Sequence, residues 1–392
     1  MQIPSLRDYF LLDPEVIYLN HGSYGATPSP VFRAYQEFQR ELERQPVKFF
    51  NTRLMDDLAS ARQVLAGYLH SDPDNLVFIP NATHAVNLVA RSLSLKRGDE
   101  ILASDHEYGA CDNVWQFVSQ KTGALYIRQP VPITARSSEE IAEHFWQGVT
   151  LRTKIIFISH ITSPTALLFP VKDICMRARQ AGILTFVDGA HAPGQIPVDL
   201  EAIAADFYTG NCHKWMLAPK GAAFLYTRQE HQSMIEPLVI SWGWGKNSPF
   251  DISSKYLANL QWSGTDDYSA YLSVPSAIQF QMDHDWDTVR QNCNSFLFWA
   301  LYRISEITGL APVHCEIPGL FRQMGIASLP PIDKSEEFKN LLYDQFRIEI
   351  PIIEWNNHHF LRISVQGYNT QEELESLLTA LKVLLPAAVQ SH

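Results

Sequence analysis

Between residues 76 and 226, short apolar runs alternate with amphipathic segments, and this pattern limits the fold more than any other feature. The runs cover 76–79, 100–103, 124–127, 154–159, 183–187, 206–209 and 222–226. Each is too short for a helix, and most carry apolar residues on consecutive positions, as strands covered on both faces do. Helical patterns at 82–93, 110–120, 139–148 and 171–181 fill most of the gaps. The alternation predicts an α/β fold with a mostly parallel seven-stranded sheet flanked by helices. In such sheets ligands settle outside the carboxyl ends of the strands, so residues there weigh most.

The flanks read differently. Val16-Ile17-Tyr18-Leu19 is a short apolar strand running into Asn20-His21-Gly22-Ser23-Tyr24-Gly25, where two glycines permit close approach of the backbone. Helical periodicity begins after Pro28 and Pro30, and Leu54, Leu58, Ala61, Leu65 and Leu69 mark one buried helix face. Beyond about residue 230 the pattern loosens into an aromatic and glycine loop, Ser241-Trp242-Gly243-Trp244-Gly245, followed by Ser248-Pro249. Residues 267–308 read as helices, including a long one containing Trp286, Val289, Cys293, Phe296, Trp299 and Leu301. Strands near 325–329, 348–353 and 361–365 with helices at 335–346 and 370–384 predict a small C-terminal α+β domain. The expected division is an N-terminal segment (1–24) belonging to the small domain and an active-site loop, a large domain (25–285) and the small domain (286–392).

Composition excludes several function classes. A formal charge of −11 without a basic stripe argues against a nucleic-acid partner. No stretch approaches the roughly 18 consecutive apolar residues of a membrane span, and the N-terminus lacks a signal-peptide layout. The 5 cysteines, Cys111, Cys175, Cys212, Cys293 and Cys315, show no CxxC spacing, so neither a disulfide framework nor a metal site is indicated. A soluble cytoplasmic protein is expected.

Four motifs carry chemistry. Asn81-Ala82-Thr83 joins a strand end to a helix start, which is either an ordinary cap by Asn81 or a phosphate site at a helix N-terminus. Asp105-His106-Glu107-Tyr108-Gly109-Ala110 follows a strand, and Tyr108 is either a packed turn tyrosine or a ring that stacks on a planar cofactor. Asp188 ends an apolar strand, a poor place for a carboxylate unless it caps the strand or meets a cation. A nucleotide or magnesium role is disfavoured because no GxGxxG or GxxxxGK[ST] accompanies it. Finally, Asn211-Cys212-His213-Lys214-Trp215 puts a lysine at the next strand end among few other charges, either a surface lysine beside a histidine or a Schiff-base lysine.

Together and in this order, these motifs with Ser263-Gly264-Thr265 and Leu361-Arg362-Ile363-Ser364 resemble the fold-type I, class V pyridoxal-phosphate enzymes. That group includes cysteine desulfurases, kynureninase and isopenicillin N epimerase. The resemblance spans nearly the whole chain, and the stretches Tyr18 to Gly25 and Asp105 to Ala110 look most like the isopenicillin N epimerase branch. It implies pyridoxal 5′-phosphate held covalently by Lys214, with Asp188 on the pyridine nitrogen and His191 near the ring hydroxyl. Ala82 and Thr83 would bind the phosphate, helped by Asn211, which stands where many relatives have Ser, and by His213. Tyr108 would stack on the ring where relatives use His, with His106 as the alternative. A Gly-Thr pair that reaches the phosphate across a dimer interface in this family nominates Thr265 and implies a homodimer. Arg362 would clamp the substrate α-carboxylate, and the Asn20-His21 loop and Trp242–Trp244 would line the substrate pocket.

The resemblance implies chemistry at the α-carbon of a small amino-acid or peptide substrate. An epimerase or racemase is the first expectation, with Lys214 moving the α-proton and Tyr108 as acid on the opposite face. The alternative is a carbon–sulfur β-lyase acting on a cysteine-derived amino acid. Persulfide-forming desulfuration is not expected, because residues 353–360 before the arginine strand contain no cysteine, and Cys212 reads as a packing residue where relatives carry Gly. A non-enzymatic regulator would need an appended partner-binding module, and no segment is left to supply one.

Overall fold

All seven apolar runs form one sheet. The computed structural model describes residues 5–245, 254–313 and 319–388; Cys315, Ser248-Pro249 and the first four residues lie outside them. The large sheet is built from β2 (Leu76–Ile79), β3 (Glu100–Ser104), β4 (Leu125–Gln129), β5 (Thr153–Ser159), β6 (Leu184–Asp188), β7 (Phe207–Asn211) and β8 (Ala223–Thr227). β1 (Ile17–Tyr18) lies outside this sheet. The strand order is β2-β8-β7-β6-β5-β3-β4, with β8 antiparallel to both neighbours and the remaining pairs parallel. The strand ends Ser159, Asp188 and Asn211 therefore share one edge with the start of the helix Ala82–Ser92.

Side-chain alternation explains the two helical layers. Phe78, Leu102, Ile156, Val187 and Tyr208 join one apolar cluster, while Val77, Ile101, Phe157, Phe186 and Phe207 join another. Successive residues of a strand point to opposite faces, so apolar residues on consecutive positions need cover on both sides. β4, at the sheet edge, lacks that cover, and Leu125 is exposed.

A second sheet has the order β11-β12-β9, with β9 (Met324–Leu329), β11 (Ile352–Trp355) and β12 (His358–Ser364) antiparallel. Helices Trp286–Thr308, Ser335–Phe346 and Gln371–Ala388 accompany it. β1 pairs in parallel with β10 (Ile348–Glu349), so the N-terminal segment is tied to the C-terminal part of the chain. The single strand expected at 348–353 is split at Ile350-Pro351, since proline offers no N–H to a ladder. β12 begins at His358, earlier than its apolar run suggests. Asn356 and Asn357 both take positive φ and close a tight hairpin with β11. A short helix, Lys255–Gln261, was not expected; Ser254 caps it by accepting from the Leu257 N–H at 3.3 Å.

Candidate active site

The carboxyl edge of the large sheet opens into a cavity lined by Ser23, Tyr24, Asn81, Ala82, Thr83, Tyr108, Cys111, Ser159, Ser163, Asp188, His191, Asn211, His213 and Lys214. Lys214 sits on a turn just past β7. The turn is closed by the Ala218 N–H donating to the Cys212 carbonyl at 2.9 Å and the Leu217 N–H to the Lys214 carbonyl at 3.1 Å. Leu217 holds a φ of 69°, a strained conformation for leucine. The N-terminal segment braces this turn from behind. A Cβ on Gly25 (φ 70°) would stand 2.1 Å from the His213 carbonyl oxygen, so only glycine permits that approach. Burial, followed by the charge of Arg362, pushes the Lys214 amine down to about 8, while Asp188 acts in the opposite direction.

Asp188 is buried at the end of β6. Its Oδ1 accepts the Ala190 N–H at 2.8 Å, and its Oδ2 lies 3.6 Å from Cys111 Sγ. Burial raises this carboxyl above its ordinary range. A cation arriving beside it would restore the charged form. His191 Nε2 lies 3.3 Å from Lys214 Nζ.

At the other end of the cavity, Asn81 caps the helix Ala82–Ser92 by accepting the His84 N–H at 2.9 Å. The Ala82 N–H donates to Asn211 Oδ1 at 2.9 Å, so Ala82 and Asn211 are bonded to each other. That bond leaves the Asn211 amide NH2 available, and Thr83, which also lines the cavity, adds a hydroxyl and an N–H in the first turn of the helix. His213 donates from Nδ1 to the Ala222 carbonyl at 3.1 Å, and burial pushes its imidazole down to about 4.

Arg362, on β12, is 5% exposed. Its Nη1 donates to the Ser163 carbonyl at 2.6 Å and to Ser163 Oγ at 3.2 Å, its Nη2 donates to Ser23 Oγ at 3.1 Å, and Nε is buried without a partner. Desolvation pushes the guanidinium down to about 10.

The remaining expected site residues divide between the cavity and other places. Tyr108 lines the cavity at 49% exposure. His106, the alternative to it, is buried away from the cavity, donating from Nε2 to the Val131 carbonyl and accepting at Nδ1 from the Thr165 hydroxyl, each at 2.7 Å. Asn20 stands one step behind Arg362, accepting the Ser23 hydroxyl at 2.5 Å. His21 does not line the cavity: it is fully buried, donates from Nε2 to the Lys214 carbonyl at 3.1 Å and accepts at Nδ1 from the Tyr368 hydroxyl at 3.0 Å. Trp242 and Trp244 are 67% and 53% exposed and Thr265 is exposed, all three outside the cavity of the single chain.

Ser23, Cys111, Ser159 and Ser163 were not singled out from sequence. The strand-end rule reaches Ser159 at the end of β5, and helical spacing puts Cys111 on the same face as Tyr108. Ser23 and Ser163 are found only through Arg362, which comes from a distant part of the chain. Glu107 was also passed over. It is buried, accepts from the hydroxyls of Ser104 and Ser159 at 2.5 Å each, and burial raises its carboxyl to about 8.

Fold and site together put a buried lysine, its amine pushed down to about 8, in an α/β crevice beside a buried carboxyl and the start of a helix. Sequence comparison names the family: the Aminotransferase class-V description matches residues 17–377, and the chain belongs to that family. It is 38% identical over 389 residues to isopenicillin N epimerase of Amycolatopsis lactamdurans, covering 96% of this chain and 97% of that protein. It is 28% identical to a probable chloroplastic L-cysteine desulfhydrase of Arabidopsis thaliana, covering 95% of this chain and 84% of that protein. Among solved structures, the fold matches the cystine C-S lyase C-DES in complex with cysteine persulfide, with a TM-score of 0.82, 21% identity, and coverage of 95% of this chain and 98% of that chain. C-DES with glycine covalently linked to the PLP-cofactor matches with a TM-score of 0.81 at 21% identity, covering 95% and 97% of the two chains. Among the described residues no helix is long and apolar enough to cross a membrane.

Proposed function

We propose that this protein is a pyridoxal 5′-phosphate enzyme acting at the α-carbon of an amino acid, and that it is an epimerase or racemase of the isopenicillin N epimerase type. The observation that carries the reading is the convergence of a buried low-pKa lysine in the cavity with a buried arginine that bonds the lining residues Ser23 and Ser163 and keeps a free Nε. The residues present fit the cofactor. Asp188 is a buried carboxyl waiting for a cation, which a protonated pyridine nitrogen supplies. The free donors of Thr83 and Asn211 at a helix N-terminus suit a phosphate. His213 would reach the phosphate through Nε2, and the phosphate charge would draw a proton onto that nitrogen. Thr265 of the partner subunit would complete the phosphate site in a homodimer.

Bound pyridoxal phosphate supplies an electron sink that acidifies the α C–H bond of an attached amino acid. Arg362 holds the substrate carboxylate, oriented by Ser23 and Ser163. Lys214, with its amine poised near 8, takes the α-proton. Tyr108 at the cavity mouth delivers a proton to the other face. The relatives favour epimerisation, since the epimerase is similar at 38% and the desulfhydrase at 28%.

The desulfhydrase likeness supports one second reading, β-elimination of sulfur from a cysteine-derived substrate. A desulfurase-type reaction, which builds a persulfide on an enzyme cysteine, is not supported: residues 353–360 contain no cysteine, and burial raises the thiol of Cys111, the one cysteine among the described residues that lines the cavity. Incubation of amino acids in deuterated water separates the readings. Epimerisation gives α-deuteration with inversion at that carbon, whereas elimination gives pyruvate, ammonia and a thiol or sulfide. A panel that includes cysteine derivatives and isopenicillin-type peptides but shows neither outcome would contradict both.

A further inference from the structure

We infer that Trp215 fixes the His191 imidazole as its Nε2–H tautomer and so makes His191 a dedicated hydrogen-bond donor toward Lys214 Nζ and whatever Lys214 carries. Trp215 is fully buried, and its indole Nε1–H points at His191 Nδ1 from 3.3 Å. An indole nitrogen only donates, so Nδ1 must present its lone pair. A neutral imidazole has one proton, which then belongs on Nε2, the nitrogen 3.3 Å from Lys214 Nζ. Burial and the neighbouring charges of Lys214 and Arg362 keep this ring neutral, with His21 and His213 adding to the same effect.

The consequence falls on Lys214. An Nε2–H donor is matched by the lone pair of a free amine and opposed by the N–H groups of an ammonium. The other tautomer would accept from the ammonium and favour it. Trp215 therefore acts as a positioning residue that biases Lys214 toward the unprotonated, reactive form. The charged and titratable groups facing Lys214 are His191, Arg362, Asp188 and Cys111, with the His21 and His213 rings also close enough to feel its charge, and of these only the tautomer of His191 is set by Trp215.

Both partners are held in place. A Cβ on Gly194 (φ 90°) would stand 2.2 Å from the Trp215 carbonyl oxygen, so the strand-to-turn packing closes directly on the tryptophan backbone. The His21 ring lies 4.9 Å from the indole. Gln195 donates from Nε2 to the His191 carbonyl at 2.8 Å.

The role given to Lys214 rests on the proposed function, but the tautomer does not, and the test separates them. Nitrogen-15 NMR of the histidine-labelled full-length protein as purified, with the His191 signals assigned by His191→Gln, reads the tautomer directly. The expected spectrum has a non-protonated Nδ1 and a protonated Nε2. In Trp215→Phe the Nε2–H preference is lost, and the pH titration of the bound chromophore moves upward by about one unit, the effect of one lost hydrogen-bond bias. A protonated Nδ1 in the wild-type protein overturns the inference, whether or not the variant folds. So does a Trp215→Phe protein with an unchanged tautomer and titration. A colourless protein that shows the expected tautomer supports the Trp215 assignment and counts against the cofactor.

Discussion

Arg362 Nη1 donates to the backbone carbonyl of Ser163 at 2.6 Å, which joins the small antiparallel sheet to the loop after β5. The guanidinium is buried with hydroxyl and carbonyl partners and a free Nε, an arrangement that costs the unliganded fold stability. Arg362→Met should lower kcat/KM for the amino-acid substrate by roughly 10²- to 10³-fold, the range of a truncated buried charge pair. In urea denaturation without substrate the same variant should unfold at a higher midpoint. A variant that loses activity and stability together would show that the arginine is structural.

The proposed role of Lys214 predicts a pH dependence for cofactor uptake. Only the free amine attacks an aldehyde, so the rate at which stripped protein takes up pyridoxal 5′-phosphate should rise with pH and level off above about 8. Because the folded value lies below the ordinary one, its contribution to the stability of the stripped protein is present at high pH and lost as pH falls through about 8. A flat rate profile between pH 6 and pH 9 would contradict this.

Glu107 makes an opposite contribution. Its folded value, about 8, lies above the ordinary 4.5, so the stability it confers is present below 4.5 and is lost as pH rises toward 8. The loss should reach about 1.4 kcal/mol per pH unit within that window. Urea midpoints at pH 5 and pH 8 should differ less in Glu107→Gln than in the wild-type protein, because glutamine keeps the contacts to Ser104 and Ser159 without titrating. Identical pH dependence in the two proteins would place Glu107 outside this account.

Tyr108 bears on the reaction itself. If Lys214 works on one face and Tyr108 on the other, Tyr108→Phe should retain exchange of the α-proton with solvent while inversion falls by about 10²-fold. Equal losses in exchange and inversion would remove Tyr108 from the acid role.

The sheet was legible because its strands other than β4 are covered on both faces, and such strands announce themselves as apolar runs. Asp188 was legible for the same reason, since a charge that closes an apolar run stands out, whereas Lys214, three residues past β7, drew attention only in combination with the other motifs. His21 shows the limit. Its sequence neighbourhood, with Gly22 and Gly25, points to a site loop, and the loop does reach the site through Ser23. The imidazole instead turns inward to Tyr368 and the Lys214 carbonyl, partners from distant parts of the chain that local pattern does not encode. Asn211 and Ala82 likewise bond to each other across the sheet edge. Ser163 is visible only through Arg362, because a lone serine in a loop carries no signal.

The central claim is that Lys214 carries pyridoxal phosphate. The purified protein, loaded with the cofactor, reduced with borohydride and digested, should yield one pyridoxyl-modified peptide with the label on Lys214, and Lys214→Ala should yield none. A label on another lysine, or no label in the wild-type protein, would contradict the account.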